Sequence, residues 1–131
     1  MATERHARCA CGQLTATCVG EPSKVSVCHC LDCQRRTGTA FGVAVFFPRS
    51  QVTVSGQAKV FARESDSGFP VEHHFCPDCG STVIWYPTRK PEAVAVALGC
   101  FVERDLPWPH QQVYEHHRHA WVALETRAAA T

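Results

Sequence analysis

The sequence predicts a mostly β fold in a single domain with little helix, and three observations carry that prediction. Short β-rich runs recur along the chain, turn residues punctuate them, and the cysteines gather on turns instead of being scattered. The 131 residues suit one domain, here placed at 7–125, with flexible ends expected at 1–6 and 126–131.

Taken in order, the predicted strands are 13–19, where Leu14, Ala16 and Cys18 alternate with Thr15 and Thr17, then 24–27, 41–47, 52–54 and 58–62, followed by 71–75, 82–86 and 93–98. Gly20-Glu21-Pro22, Pro48-Arg49-Ser50, Ser55-Gly56 and Gly68-Phe69-Pro70 break the runs. Residues 31–37 form the one helical candidate, and Gly38 is placed to supply the left-handed turn that ends it.

Seven of the nine cysteines fall into three clusters, Cys9/Cys11, Cys28/Cys30/Cys33 and Cys76/Cys79. Cysteines one or two residues apart on a turn can aim both sulfurs at one soft cation such as zinc, whereas a disulfide framework spreads its cysteines through a secreted domain. Glycines directly after Cys11 and Cys79 suit two metal knuckles. Two knuckles complete one tetrahedral site, so Cys9, Cys11, Cys76 and Cys79 are expected to hold a structural zinc across the 64 residues between Cys11 and Cys76.

Cys28, Cys30 and Cys33 offer three ligands and an open position, the pattern of a working zinc. Three thiolates leave a +2 ion with formal charge −1, a weak activator of water, so an incoming thiol is the better fit for the fourth place. His29 sits inside this cluster as a fourth ligand, a base, or a group behind the ligands. Arg35 and Arg36 follow at once and are the cations best placed by sequence for a substrate carboxylate. One of His73 and His74 can face the same region, since neighbours in a strand point to opposite sides. Cys18 and Cys100, alone in apolar segments, are expected in the core.

A formal net charge of +1 argues against nucleic acid as a partner. Residues 2–8 have no apolar core of the secretory kind, and the longest apolar or glycine run, 93–102, is half of the roughly 20 residues a membrane span needs. A cytoplasmic protein with reduced thiols is the expectation.

Cys-x-Cys-Gly near the start, Cys-His-Cys-x-x-Cys-x-Arg-x-x-Gly at 28–38, and Phe-Cys-Pro-x-Cys-Gly at 75–80 together resemble the glutathione-dependent formaldehyde-activating enzyme family, which includes the centromere protein V type. The resemblance spans residues 7–125 and implies an Mss4-like β domain with two zinc ions. One is implied to be structural, on Cys9, Cys11, Cys76 and Cys79, and one catalytic, on Cys28, Cys30 and Cys33. It further implies a carbon-sulfur lyase that condenses glutathione with formaldehyde to S-hydroxymethylglutathione. The rival readings are a non-enzymatic zinc module, as glutathione carrier or protein-binding domain, and a redox or metal-buffering role for the triad. The chain departs from its relatives at Cys100, where a small hydroxyl residue is common, and in Pro107-Trp108-Pro109 and His116-His117-Arg118-His119, the last expected as an exposed loop.

Overall fold

Side-chain alternation along the strands sorts the apolar residues into two layers. The computed structural model describes residues 3–65 and 67–128; the outermost residues of both predicted flexible ends lie outside the described residues. The elements are β1 (Glu4–Arg8), β2 (Thr15–Val19), β3 (Lys24–Cys28), α1 (Leu31–Thr37), β4 (Gly42–Pro48), β5 (Val52–Ser55), β6 (Lys59–Arg63), β7 (Val71–Phe75), β8 (Thr82–Pro87), β9 (Ala93–Ala97) and β10 (Gln111–Val113). Three strands form one sheet in the order β1-β2-β5, and seven form the other in the order β10-β3-β4-β9-β8-β7-β6. The pairings are antiparallel except β10 beside β3.

Register explains the layering. Val25, Val45, Val96 and Ile84 stand side by side across β3, β4, β9 and β8. All four are buried in one core with Ala7, Ala16 and Cys18 of the small sheet and with Leu14, which immediately precedes β2. The adjacent row, Lys24, Phe46, Ala95, Trp85, His73 and Phe61, must face the other way. It carries a second, smaller core of Ala44, Trp85 and Ala95. Alanines between Phe46 and Trp85 leave a hollow on this face, and the functional candidates surround it.

Two strands carry no hydrophobic signal in the sequence. β1 begins at Glu4, inside the end predicted to be flexible, and turns Arg5 and Ala7 inward. Arg5 is only 4 % exposed because its guanidinium bonds Glu21 at 2.9 Å and faces Asp105 at 3.5 Å, so a charged residue occupies a core-facing position. β10 has three residues, two of them glutamine, and exists because β3 offers it an edge.

α1 matches its predicted bounds. Cys30 caps it, its sulfur accepting the Cys33 amide, and Gly38 ends it at φ 68°. Gly56 is required by close approach: at φ +102° a β-carbon would lie 2.0 Å from the Gln13 carbonyl oxygen. Cys18 is fully buried, and Cys100 is partly buried against the same core. Among the described residues no helix is long and apolar enough to cross a membrane.

Candidate metal centres and the adjoining cavity

The first centre is assembled from two turns. Cys9 and Cys11 lie between β1 and β2, and Cys76 and Cys79 between β7 and β8, with Gly12 at φ 85° and Gly80 at φ 81° closing the turns. The four sulfurs lie within 4.8 Å of one another. Cys11 Sγ is 3.6 Å from both Cys9 Sγ and Cys76 Sγ. Zinc–sulfur bonds of 2.3 Å in a tetrahedron put sulfurs about 3.8 Å apart, so the set fits a tetrahedral zinc. The amide of Leu14 donates to Cys9 at 3.3 Å and the side chain of Gln13 to Cys76 at 2.9 Å, the hydrogen bonds a thiolate needs. Gln13 also exchanges two bonds with the backbone of Gln57, which ties the β5–β6 turn to this centre.

The second centre forms where β3 runs into α1. Cys28, Cys30 and Cys33 bring their sulfurs within 4.8 Å of one another, and no fourth histidine, cysteine or carboxylate joins them among the described residues. Hydrogen bonds from the Cys28 and Cys33 thiols, with the Cys33 amide and Arg63 nearby, hold the Cys30 pKa low. Donating to Cys30 pushes the Cys28 pKa up. The three sulfurs thus oppose one another's ionisation, and a divalent ion would favour the thiolate form of all three.

His29 does not join the sulfurs. It is fully buried, with Nε2 2.7 Å from the Gln112 side-chain oxygen and its ring 5.9 Å from Phe41. Gln112 also donates to the Leu124 carbonyl, which fixes its oxygen toward His29 and makes His29 Nε2 the donor. The backbone of His29 is gripped as well: its amide donates to Val113 O, and its carbonyl accepts from Gln34. Gln34 reaches in turn to the carbonyl of His117 and to His119 Nε2. The C-terminal segment thus straps the triad loop in place. The histidines at 116–119 do not form a third metal-holding group among the described residues.

A cavity of about 400 Å³ opens beside the triad. Its wall includes Cys28, Cys30 and Cys33, its floor Ala44, Phe46 and Trp85, and its cations are Lys24, Arg63, Arg89 and Lys90. Arg35 and Arg36, the cations expected from sequence, are absent from its lining. Arg35 is exposed, and Arg36 holds its guanidinium 4.2 Å from the centre of the Trp85 ring, from where its charge still acts on Cys33 and His73. Arg35 and Arg36 lie five and six places after Cys30 on α1, and the cations that do line the cavity come from strands and turns distant in sequence. His73 and His74 divide as strand geometry demands. His73 is buried and stacks on Trp85, while His74 meets Tyr86 on the other face. Gln34, Gln112 and Arg63 are the contributors that local sequence patterns do not reveal.

The fold and the two cysteine centres, each able to hold a metal ion, define a small β protein of the Mss4-like kind. A family model for the glutathione-dependent formaldehyde-activating enzymes matches residues 4–117, and the chain belongs to that family. A Halomonas elongata protein, whose name places it provisionally among the same enzymes, is 26 % identical over 126 residues, 91 % of this chain and 80 % of that protein. The crystal structure of a Rhodobacter sphaeroides protein superposes with a TM-score of 0.58 at 20 % identity, over 72 % of this chain and 85 % of that one, a likeness of fold alone.

Proposed function

We propose that this chain is a zinc-dependent carbon-sulfur lyase that joins glutathione to formaldehyde at the Cys28/Cys30/Cys33 centre. The observation that carries the reading is three convergent sulfurs in the wall of a cavity, with no fourth protein ligand among the described residues. Zinc held there would lower the pKa of an incoming thiol and fix its sulfur beside the aldehyde. The cavity brings the two reactants together, and its apolar floor of Ala44, Phe46 and Trp85 limits water around them. The thiolate sulfur attacks the carbonyl carbon, the carbon–oxygen π pair moves to oxygen, and that oxygen takes a proton from solvent to give the S-hydroxymethyl adduct. His29, buried behind the ligands, acts as a positioning residue, holding the loop between Cys28 and Cys30. The first centre, remote in sequence and made of four cysteines, has the structural role.

The test is the exchange rate between glutathione, formaldehyde and adduct, followed by NMR on zinc-reconstituted protein. Acceleration over the spontaneous rate of at least about tenfold, lost in Cys33→Ser with the fold retained, is the expected result. An unaccelerated rate with stoichiometric glutathione binding would instead make the protein a carrier.

A further inference from the structure

Arg63, at the end of β6, lines the cavity from an element far from the triad in sequence. Its side chain is 18 % exposed and committed on two sides. Nε donates to His73 Nε2 at 3.1 Å, and Nη1 donates to Asp32 Oδ2 at 3.1 Å and to the Glu64 carbonyl at 3.3 Å. Nη2 carries no hydrogen bond among the described residues. Asp32 lies between Cys30 and Cys33, so this ion pair parks the guanidinium beside the triad.

His73 is built for support. It is 6 % exposed and stacked on Trp85 with ring centroids 5.9 Å apart. Burial, then the charges of Arg63 and Arg36, lower its pKa to about 4, so the ring is neutral near pH 7. A neutral ring can accept the Arg63 Nε–H, whereas an imidazolium would repel it. Among the described residues lining the cavity, Asp32 is the lone anion against Lys24, Arg63, Arg89 and Lys90. A cavity so charged favours an anionic ligand, and its one cation tied to the cysteine helix is Arg63.

We propose that Arg63 selects thiols bearing a carboxylate, binding that carboxylate through Nη2 while the sulfur reaches the triad, with His73 as the positioning residue that fixes the guanidinium. The proposal rests on the thiol-binding reading above and deepens it. A charge-assisted bond in a partly desolvated cavity makes the preference about 10- to 100-fold. Arginine holds the site better than lysine because its planar fork serves His73, Asp32 and a ligand at once.

Direct titration of zinc-reconstituted protein with glutathione and with uncharged 2-mercaptoethanol tests this. Wild type should prefer glutathione. Arg63→Met should weaken glutathione about 10- to 100-fold and leave 2-mercaptoethanol within about twofold, with Arg63→Lys between. His73→Leu should follow Arg63→Met in direction, and His73→Gln, whose side-chain oxygen can accept the same N–H, should restore binding. Equal loss for both thiols, or unchanged glutathione affinity in Arg63→Met, would overturn the assignment of Arg63 and leave the thiol reading standing. A wild type that binds neither thiol would overturn both.

Discussion

Replacing Gln112 with leucine should destabilise the protein through His29. The side chain of His29 is fully buried, its Nδ1 has no partner among the described residues, and its Nε2–H is served by Gln112 at 2.7 Å. Removing the amide leaves that N–H buried and unpaired, a cost of about 1–3 kcal/mol. With an unfolding entropy of about 2.1 cal/mol/K per residue, 131 residues give about 0.28 kcal/mol/K, or close to 4 °C per kcal/mol. The melting temperature should fall by about 4–11 °C, measured by circular dichroism under reducing conditions with zinc present. The double variant His29→Phe/Gln112→Leu supplies the control. With both partners apolar the buried His29 N–H is gone, and the loss of the Gln112 bond to Leu124 O is common to both variants, so the double variant should be at least about 1 kcal/mol more stable than Gln112→Leu alone. A melting temperature unchanged in Gln112→Leu, or a double variant equal to the sum of the singles, would refute the reasoning. Because His29 sits between two triad cysteines, Gln112→Leu should also weaken metal retention at the triad by about 10- to 100-fold in a chelator competition, leaving the four-cysteine centre intact.

Three further outcomes are expected. Elemental analysis should give about two zinc ions in wild type and one in Cys33→Ser, with the fold kept. Cys76→Ser, by contrast, should unfold, because a structural zinc supplies about 10–16 kcal/mol, as much as a small domain's whole stability; a soluble Cys76→Ser with an unchanged melting curve would contradict the structural assignment. The buried His73, with a pKa near 4 against an ordinary 6.5, takes up its proton more readily in the unfolded chain. Its contribution is therefore constant above pH 6.5 and is lost as pH falls from 6.5 toward 4. The melting-temperature gap between wild type and His73→Gln should narrow across that window, and a constant gap from pH 7.5 to 4.5 would show that His73 does not titrate as its surroundings demand.

The division of seven cysteines into a set of four and a set of three is legible in the chain, because each knuckle is local. Turns that place sulfurs two or three residues apart on one side need only a glycine able to adopt positive φ, and Gly12 and Gly80 do so. The bounds of α1 are equally local, set by Cys30 at one end and Gly38 at the other. Eight of the strands announce themselves by alternation or β-rich composition. β1 does not, since its inward Arg5 is made tolerable by Glu21 and Asp105, partners 16 and 100 residues away. Nor does β10, whose two glutamines act through contacts with Ser26 and His29.

The cavity belongs wholly to the tertiary structure. Sequence adjacency favours Arg35 and Arg36 as the cations of the second centre, yet one points to solvent and the other stacks on Trp85. The lining cations come from β3, the end of β6 and the β8–β9 turn, and Arg63 meets Asp32 across 31 residues. Ligand spacing is written in a few consecutive torsion angles and so is readable in the chain. Which charges face those ligands depends on strand order and register in a seven-stranded sheet, where a one-residue slip would turn Lys24, Trp85 and His73 to the opposite face. Burial of Val25, Val45, Val96 and Ile84 against the small sheet excludes that slip, and in doing so it decides which charges line the cavity beside the cysteine triad.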